Sequence, residues 1–259
     1  MNHINQSCIL NQNQTDFFMT SPKIYLINLD RSIVRYKVVS NKLNATGIEY
    51  ERFSAIDGYK INITNTQNNQ SFLGESLKGV KLNPDVNYII NCLNDGSTQL
   101  HFYGWNATPG ELGCWCSHYI LWSNVATTKE NVIIFEDDMF PLNIKTFNSQ
   151  MMDFVNHLPE SFDVGFMDFN HIVEGKKTKL DDNPLISVPN IKFSAWGAHA
   201  YVISPKGANK LLAYPSYNEI EDVFIWDKFN LEELEVYIST LDFVGVGMQP
   251  SILSQMGRH

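Results

Sequence analysis

Lys23-Ile24-Tyr25-Leu26-Ile27-Asn28-Leu29 is a short apolar run, and it reads as a buried strand. After it, Val34, Val38 and Leu43 recur at helical spacing, and Gly47 supplies a stop. Tyr50 to Phe53 then reads as a second strand that ends near Ala55 and an Asp57-Gly58 turn. Strand, helix and strand in this order favour a crossover between parallel strands, so the opening places the chain among α/β proteins.

Downstream, the pattern dissolves between about residues 59 and 107, where Asn, Gln, Gly and Ser dominate. This stretch is expected to be an irregular Asn-rich insertion, either lying over a site or forming a plain surface loop. Order returns at Thr108-Pro109-Gly110-Glu111. Threonine at the cap, proline at the first helical position and glutamate three residues after the cap predict a capping box and a helix to about Ala126. Val132-Ile133-Ile134-Phe135 predicts another buried strand. Further elements are expected as a helix over 144–157, a strand over 163–167 and a strand over 199–203. A helix capped by Ser204-Pro205, a helix over 221–229 and a strand over 241–246 follow. Nothing in this pattern repeats or splits the core, so residues 22–259 are expected to form one domain behind a polar, mobile extension at 1–21.

The 259 residues are 44% hydrophobic, enough for one ordinary α/β core. The formal charge of −9, from 19 basic and 28 acidic residues, argues against nucleic acid as a partner. A small anionic ligand would need a local device such as a metal, a helix N-terminus or arginines. No apolar run is long enough to span a membrane, and the first twenty residues lack the basic and apolar regions of a secretory signal. A cytoplasmic location is therefore expected, with peripheral contact at the inner membrane surface as a variant. The cysteines at 8, 92, 114 and 116 are accordingly expected to be free thiols. Cys114 and Cys116, two apart on a predicted helix, diverge by about 200° and should not bridge each other.

Glu136-Asp137-Asp138 follows the 132–135 strand directly. The carboxyl end of a strand in an open α/β sheet is where ligands bind. Three crowded carboxylates repel unless a cation neutralises them, and Mg²⁺ or Mn²⁺ prefers such hard oxygen ligands. If strand geometry persists, Glu136 and Asp138 share one side. A solvated acidic turn is the competing reading.

Six segments in order resemble glycosyltransferase family 25, the lipooligosaccharide and procollagen-galactosyltransferase type. They are Ile27-Asn28-Leu29-Asp30-Arg31 with Arg35, Arg52 to Gly58, and Thr108 to Cys114 with Ser117-His118 and Trp122. Ile134 to Asp138, Trp196-Gly197-Ala198 with Tyr201 to Ser204, and Asp222 complete the set. The resemblance implies a GT-A-type, Rossmann-like, mostly parallel sheet flanked by helices. It also implies a nucleotide-diphospho-sugar donor, a divalent cation (Mn²⁺ or Mg²⁺) and inversion at the anomeric carbon. Asp138, with Glu136 and a C-terminal His259, would hold the cation. Asn28, Arg31, Arg35, Ala55, Asp57, Glu136 and Asp137 would bind the donor. Glu111, His118, Trp196 and Gly197 would face the acceptor. Asp222 would be the base, with Asp168 in reserve. Each has a structural alternative: Glu111 as a cap, His118 as a core histidine, Trp196 as core packing, and Arg31 and Arg35 as an exposed helix face. The donor that the family suggests is UDP-galactose, and the acceptor a glycan or glycolipid such as a lipooligosaccharide core.

Three other functions compete. A phosphotransfer enzyme would want a phosphate-binding P-loop, and no G-x-x-x-x-G-K-[ST] occurs. A glycosidase would work on paired carboxylates without metal or nucleotide. A sugar-nucleotide-binding protein of the same fold would bind donor without turnover. The insertion departs from the family pattern and leaves acceptor identity open.

Overall fold

The computed structural model describes residues 22–247, apart from 94, 168–171, 175, 176, 181, 182, 190–193 and 196. The polar extension, Cys8, Asp168, Trp196 and His259 fall outside the described residues.

The opening β1 (Lys23–Asn28), α1 (Ile33–Ala45) and β2 (Glu51–Ser54) form the expected unit, with the strands paired in parallel. Gly47, at φ +75°, ends α1 by donating its N–H to the Asn44 carbonyl. The inward face of α1 differs from the one expected. Leu43 is buried as the stripe implied, but Val34 and Val38 are exposed, and Val39 is buried in their place. A spacing of four runs along either edge of a helix, so two valines alone do not choose the buried side.

Residues 62–102 are not irregular. β3 (Asn62–Asn65), β4 (Gln70–Leu73), β5 (Tyr88–Asn91) and β6 (Gln99–Phe102) form an antiparallel sheet in the order β4-β3-β5-β6. Ile63, Tyr88, Ile90, Leu100 and Phe102 are its buried side chains. The strands are only four residues each, and two or fewer residues per strand are buried. The Asn and Gln between them hid the two-residue period.

Then come α2 (Pro109–Ala126), β7 (Val132–Glu136), β8 (Met139–Pro141), α3 (Phe147–His157) and β9 (Val164–Phe166). α2 starts as expected: Thr108 Oγ1 accepts from the Glu111 N–H, and Glu111 Oε2 accepts from the Thr108 N–H at 2.7 Å. β11 (Lys177–Leu180) and β12 (Asn183–Pro189) pair antiparallel at one edge of the central sheet, and β10 (Ile172–Glu174) pairs with β13 (Ser194–Ala195) in a separate two-stranded piece. β14 (Ala200–Ile203), α4 (Pro205–Leu212), α5 (Glu221–Asn230), β15 (Val236–Ser239) and β16 (Val244–Val246) complete the described chain. β15 was missed by the sequence reading, and only the last three residues of the expected 241–246 strand form one.

The central sheet runs β11-β12-β15-β9-β14-β7-β1-β2. β14 and β12 are antiparallel to both of their neighbours, so the other six strands share one direction. This is the mostly parallel α/β sheet that the sequence implied. Alternate residues feed two cores. Ile133, Phe135, Ala200 and Val202 pack with α1 and α3, while Val132, Ile134, Tyr201 and Ile203 pack with α2, α4 and α5. The second core also takes in the buried residues of the four-stranded insertion sheet.

A disulfide joins Cys92, just after β5, to Cys116 on α2, with Cα atoms 5.3 Å apart. The expectation of free thiols is corrected for this pair: the folded insertion carries Cys92 onto the helix. Cys114 stays free. Closing a loop of 24 residues should stabilise the fold by about 3 kcal/mol. Cys92→Ser and dithiothreitol-treated wild type should therefore lose equal stability in urea unfolding, relative to the oxidised protein. Equal stability of variant and oxidised protein would show that the bond contributes nothing.

Candidate active site

The parallel strands β1 and β7 end side by side, and β14 begins at the same edge because it runs the other way. The Glu136 N–H donates to the His199 carbonyl at 2.9 Å, which fixes His199 opposite the acidic run. Strand geometry does not persist through the acidic run: β7 ends at Glu136, and the turn at residues 137–138 brings Asp138 to the same imidazole as Glu136. His199 Nδ1 lies 2.9 Å from Asp138 Oδ1 and 3.3 Å from Glu136 Oε2. Asp137 turns the opposite way. It is buried, forms an ion pair with Arg35 and accepts from Asn28 Nδ2 at 2.5 Å.

The second oxygen of Glu136 faces α2. His118 Nε2 is 3.0 Å from Glu136 Oε1, and His118 Nδ1 is 2.8 Å from the Tyr201 hydroxyl. That hydroxyl accepts from Trp122 Nε1 at 2.9 Å. One turn earlier, the Cys114 thiol donates to Glu221 Oε1 at 3.0 Å. Next to Glu221, Asp222 accepts from the Gly197 and Val223 N–H groups, both at 2.6 Å. These two amides anchor Asp222 at the start of α5, where the helix dipole favours negative charge. Trp115 holds that start in place: Nε1 donates to the Glu219 carbonyl at 2.6 Å, and the indole packs edge-on against Phe224.

Charge at this edge is strongly perturbed. Burial raises the Glu136 carboxyl, but its bonds to His118 and His199 outweigh this and hold it well below the usual carboxylate range. Burial lowers the His199 imidazole, yet Asp138 reverses that and lifts it far above its ordinary value. Glu221 is pushed up to about 7 by burial and by its acidic neighbours Asp222 and Glu136. Asp222 is also raised by burial, with its two amide bonds opposing. Carboxyls shifted in opposite directions within one cleft are typical of acid–base sites.

The loop after β2 is pressed onto α2. A Cβ on Gly113 would meet the Ile56 carbonyl at 2.5 Å and the Gly58 nitrogen at 2.7 Å. Ser117 Oγ accepts from the Ile56 N–H at 2.9 Å and donates to the Gly113 carbonyl. Ala55 is tied back to β1 through its N–H on the Asn28 carbonyl at 3.0 Å. Asp57, with Arg31 paired to it, then lies beside the end of β1.

The structure thus brings together Asn28, Arg35, Glu136, Asp137, Asp138, His118, Gly197 and Asp222. It sets Glu111 apart, in the helix cap. His118 is fully buried behind Glu136 and has no open face toward an acceptor. Sequence reasoning missed His199, Cys114, Glu221 and Arg52. Arg52 donates to Asn28 Oδ1 at 2.8 Å and to Asp30 at 2.8 Å. His199 could have been found only from the antiparallel pairing of β14 with β7. Cys114 was set aside on its spacing from Cys116, although its i+4 partner on the same face is His118.

Comparison with known proteins followed the same lines. Residues 21–225 match the family described as Glycosyltransferase family 25 (LPS biosynthesis protein). Procollagen galactosyltransferase 1-A of Xenopus laevis is 26% identical over 247 residues, 91% of this chain and 36% of the relative. Procollagen galactosyltransferase 2 of Homo sapiens is 27% identical over 158 residues, 56% of this chain and 24% of the relative. Inactive glycosyltransferase 25 family member 3 of Homo sapiens is 26% identical, covering 88% of this chain and 36% of that protein. The chain therefore spans about a third or less of the length of these relatives.

Because the loop at 55–58 meets α2 backbone to backbone, Gly113→Ala should lose about 1–3 kcal/mol of stability. Gly110→Ala is the control, since its Cβ would meet only Thr108 Oγ1 at 3.8 Å. Thermal unfolding of both variants checks this, and equal melting temperatures would rule out the close approach.

Proposed function

As the chain belongs to glycosyltransferase family 25, we propose that it is an inverting transferase that moves galactose from UDP-galactose to a hydroxyl of a glycan acceptor. The observation that carries this reading is the pairing of Glu136 and Asp138 on one side of the β7 end, facing His199, with Asp222 anchored by the Gly197 amide nearby. Two carboxylates, each within 3.3 Å of one imidazole nitrogen and with all three ligand atoms within 4.8 Å of one another, are a donor set that suits Mn²⁺, and Mg²⁺ through the oxygens. When bound, such a cation would neutralise charge on a diphosphate leaving group.

The remaining roles fall to the chain itself. Asn28, Arg31, Arg35, Ala55 and Asp57 border the end of β1, and they support a donor site there. Asp137 would act by holding Arg35 and Asn28 rather than by touching the donor. Asp222 would take the proton from the acceptor hydroxyl as it attacks, its carboxylate aimed by the two amides. The raised affinity of Asp222 for a proton favours that transfer. Gly197, its amide donor, would border the acceptor. A lipooligosaccharide core remains one candidate acceptor. The names of the procollagen galactosyltransferases support a hydroxyl on a procollagen-like protein chain as another. The Cys92–Cys116 bond favours an oxidising compartment over the cytoplasm expected from the sequence. Among the described residues no helix is long and apolar enough to cross a membrane.

The inactive human relative gives weight to a second reading, a protein of this fold that binds a sugar nucleotide without turnover. UDP release from a panel of UDP-, GDP- and CMP-sugars separates the two, measured with Mn²⁺ and with EDTA. The proposal expects release from one UDP-sugar, lost with EDTA and in Asp138→Ala. Asp222→Asn should keep donor binding and lose transfer by about 10²-fold or more. Binding without turnover across broad acceptor libraries would favour the second reading, and no binding at all would end both.

A further inference from the structure

Behind Asp138 and His199 lies a second set of donors, which shares only Glu136 with the first. Cys114 and His118 stand one turn apart on α2, Glu136 ends β7 and Glu221 begins α5. Their ligand atoms, one from each residue, all lie within 4.8 Å of one another. The nearest separations are 3.0 Å from Cys114 Sγ to Glu221 Oε1 and 3.0 Å from His118 Nε2 to Glu136 Oε1, with 3.7 Å from Cys114 Sγ to Glu136 Oε1. Ligands placed tetrahedrally at zinc bond lengths sit roughly 3.3–3.6 Å apart, so only small movements would close the set around an ion.

Hydrogen bonds among the four groups leave one atom unexplained. Glu221 is 3% exposed, and its Oε2 is buried with no hydrogen-bond partner among the described residues. A buried carboxylate oxygen without a partner is costly and calls for one. The side of His118 away from Glu136 is already fixed. Nδ1 meets the Tyr201 hydroxyl, which Trp122 Nε1 also holds, an outer shell of the kind that orients a ligating imidazole.

We propose that Cys114, His118, Glu136 and Glu221 form a closed, four-coordinate zinc site. One sulfur, one nitrogen and two oxygens are a donor mixture that zinc accepts, whereas Mg²⁺ and Mn²⁺ prefer oxygen. With all four positions taken by protein, the ion would be structural. It would tie α5, and so Asp222, to the end of β7. Glu136 serves both sets, one oxygen toward His118 and Cys114 and the other toward His199.

The test is cobalt titration of the full chain, stripped of zinc with a chelator and kept without reductant, read by absorption, together with the zinc content of the protein before stripping. One equivalent of Co²⁺ should give tetrahedral visible bands and a thiolate-to-cobalt charge-transfer band, both bleached by zinc. Cys114→Ser should lose the charge-transfer band, while Cys8→Ser and Asp138→Ala should keep it. Glu221→Gln, nearly isosteric and so a guard against misfolding, should weaken cobalt binding at least about tenfold. The proposal is overturned if the wild type shows no charge-transfer band, or if the band survives Cys114→Ser or vanishes in Cys8→Ser. None of these readouts involves a nucleotide sugar, so their failure would leave the transferase reading standing.

Discussion

Two imidazoles share one carboxylate at the end of β7, and most of the site is organised by that arrangement. Glu136 Oε1 meets His118 from α2, and Glu136 Oε2 lies 3.3 Å from His199 at the start of β14. A half-buried carboxylate would be expensive without partners; here it is held strongly acidic by two. His118 can reach it only because Tyr201 and Trp122 set the ring. His199 can reach it only because β14 runs against β7. A reversed strand in a largely parallel sheet is thus what places an imidazole opposite the acidic run. In a uniformly parallel sheet the start of β14 would lie at the far edge.

Asp137, between the two cleft-facing acids, does different work. It is buried with Arg35 and Asn28, which ties α1 and β1 to the β7 end. Neighbouring carboxylates of one short run therefore serve separate ends, and the turn at residues 137–138 between β7 and β8 makes the division. The acidic run ends in a turn, as the competing reading had it, but a largely buried one, and its three carboxylates are not equivalent ligands.

How much of this was legible depended on range. The capping box at Thr108 and Glu111 and the Gly47 stop are local, and spacing alone exposed them. The side of α1 that faces the sheet was misjudged because Val34 and Val38 are exposed, while Val39 and Ser40 are buried beside the expected Leu43. The insertion sheet was missed because strands such as Asn62–Asn65 carry one buried residue amid polar ones. The pairing of Cys92 with Cys116 depended on that sheet. His199 and Glu221 entered the site through tertiary contacts with residues 63 and 107 positions away, Glu136 and Cys114. No periodicity records such distances, and only the order of motifs pointed to the same region.

The insertion sheet has a consequence for how the chain reaches its native state. Phe102 of β6 bridges to Tyr217 and packs against Trp115, while Trp115 packs against Phe224. The sheet's buried face is therefore completed by residues more than a hundred positions later in the chain. Contacts of such long sequence separation close slowly, because the loop entropy must be overcome before they contribute. During synthesis, the strands between residues 62 and 102 emerge well before their packing partners. Their apolar side chains are then exposed until α5 has left the ribosome, and this is the interval in which the nascent protein is most open to misassociation.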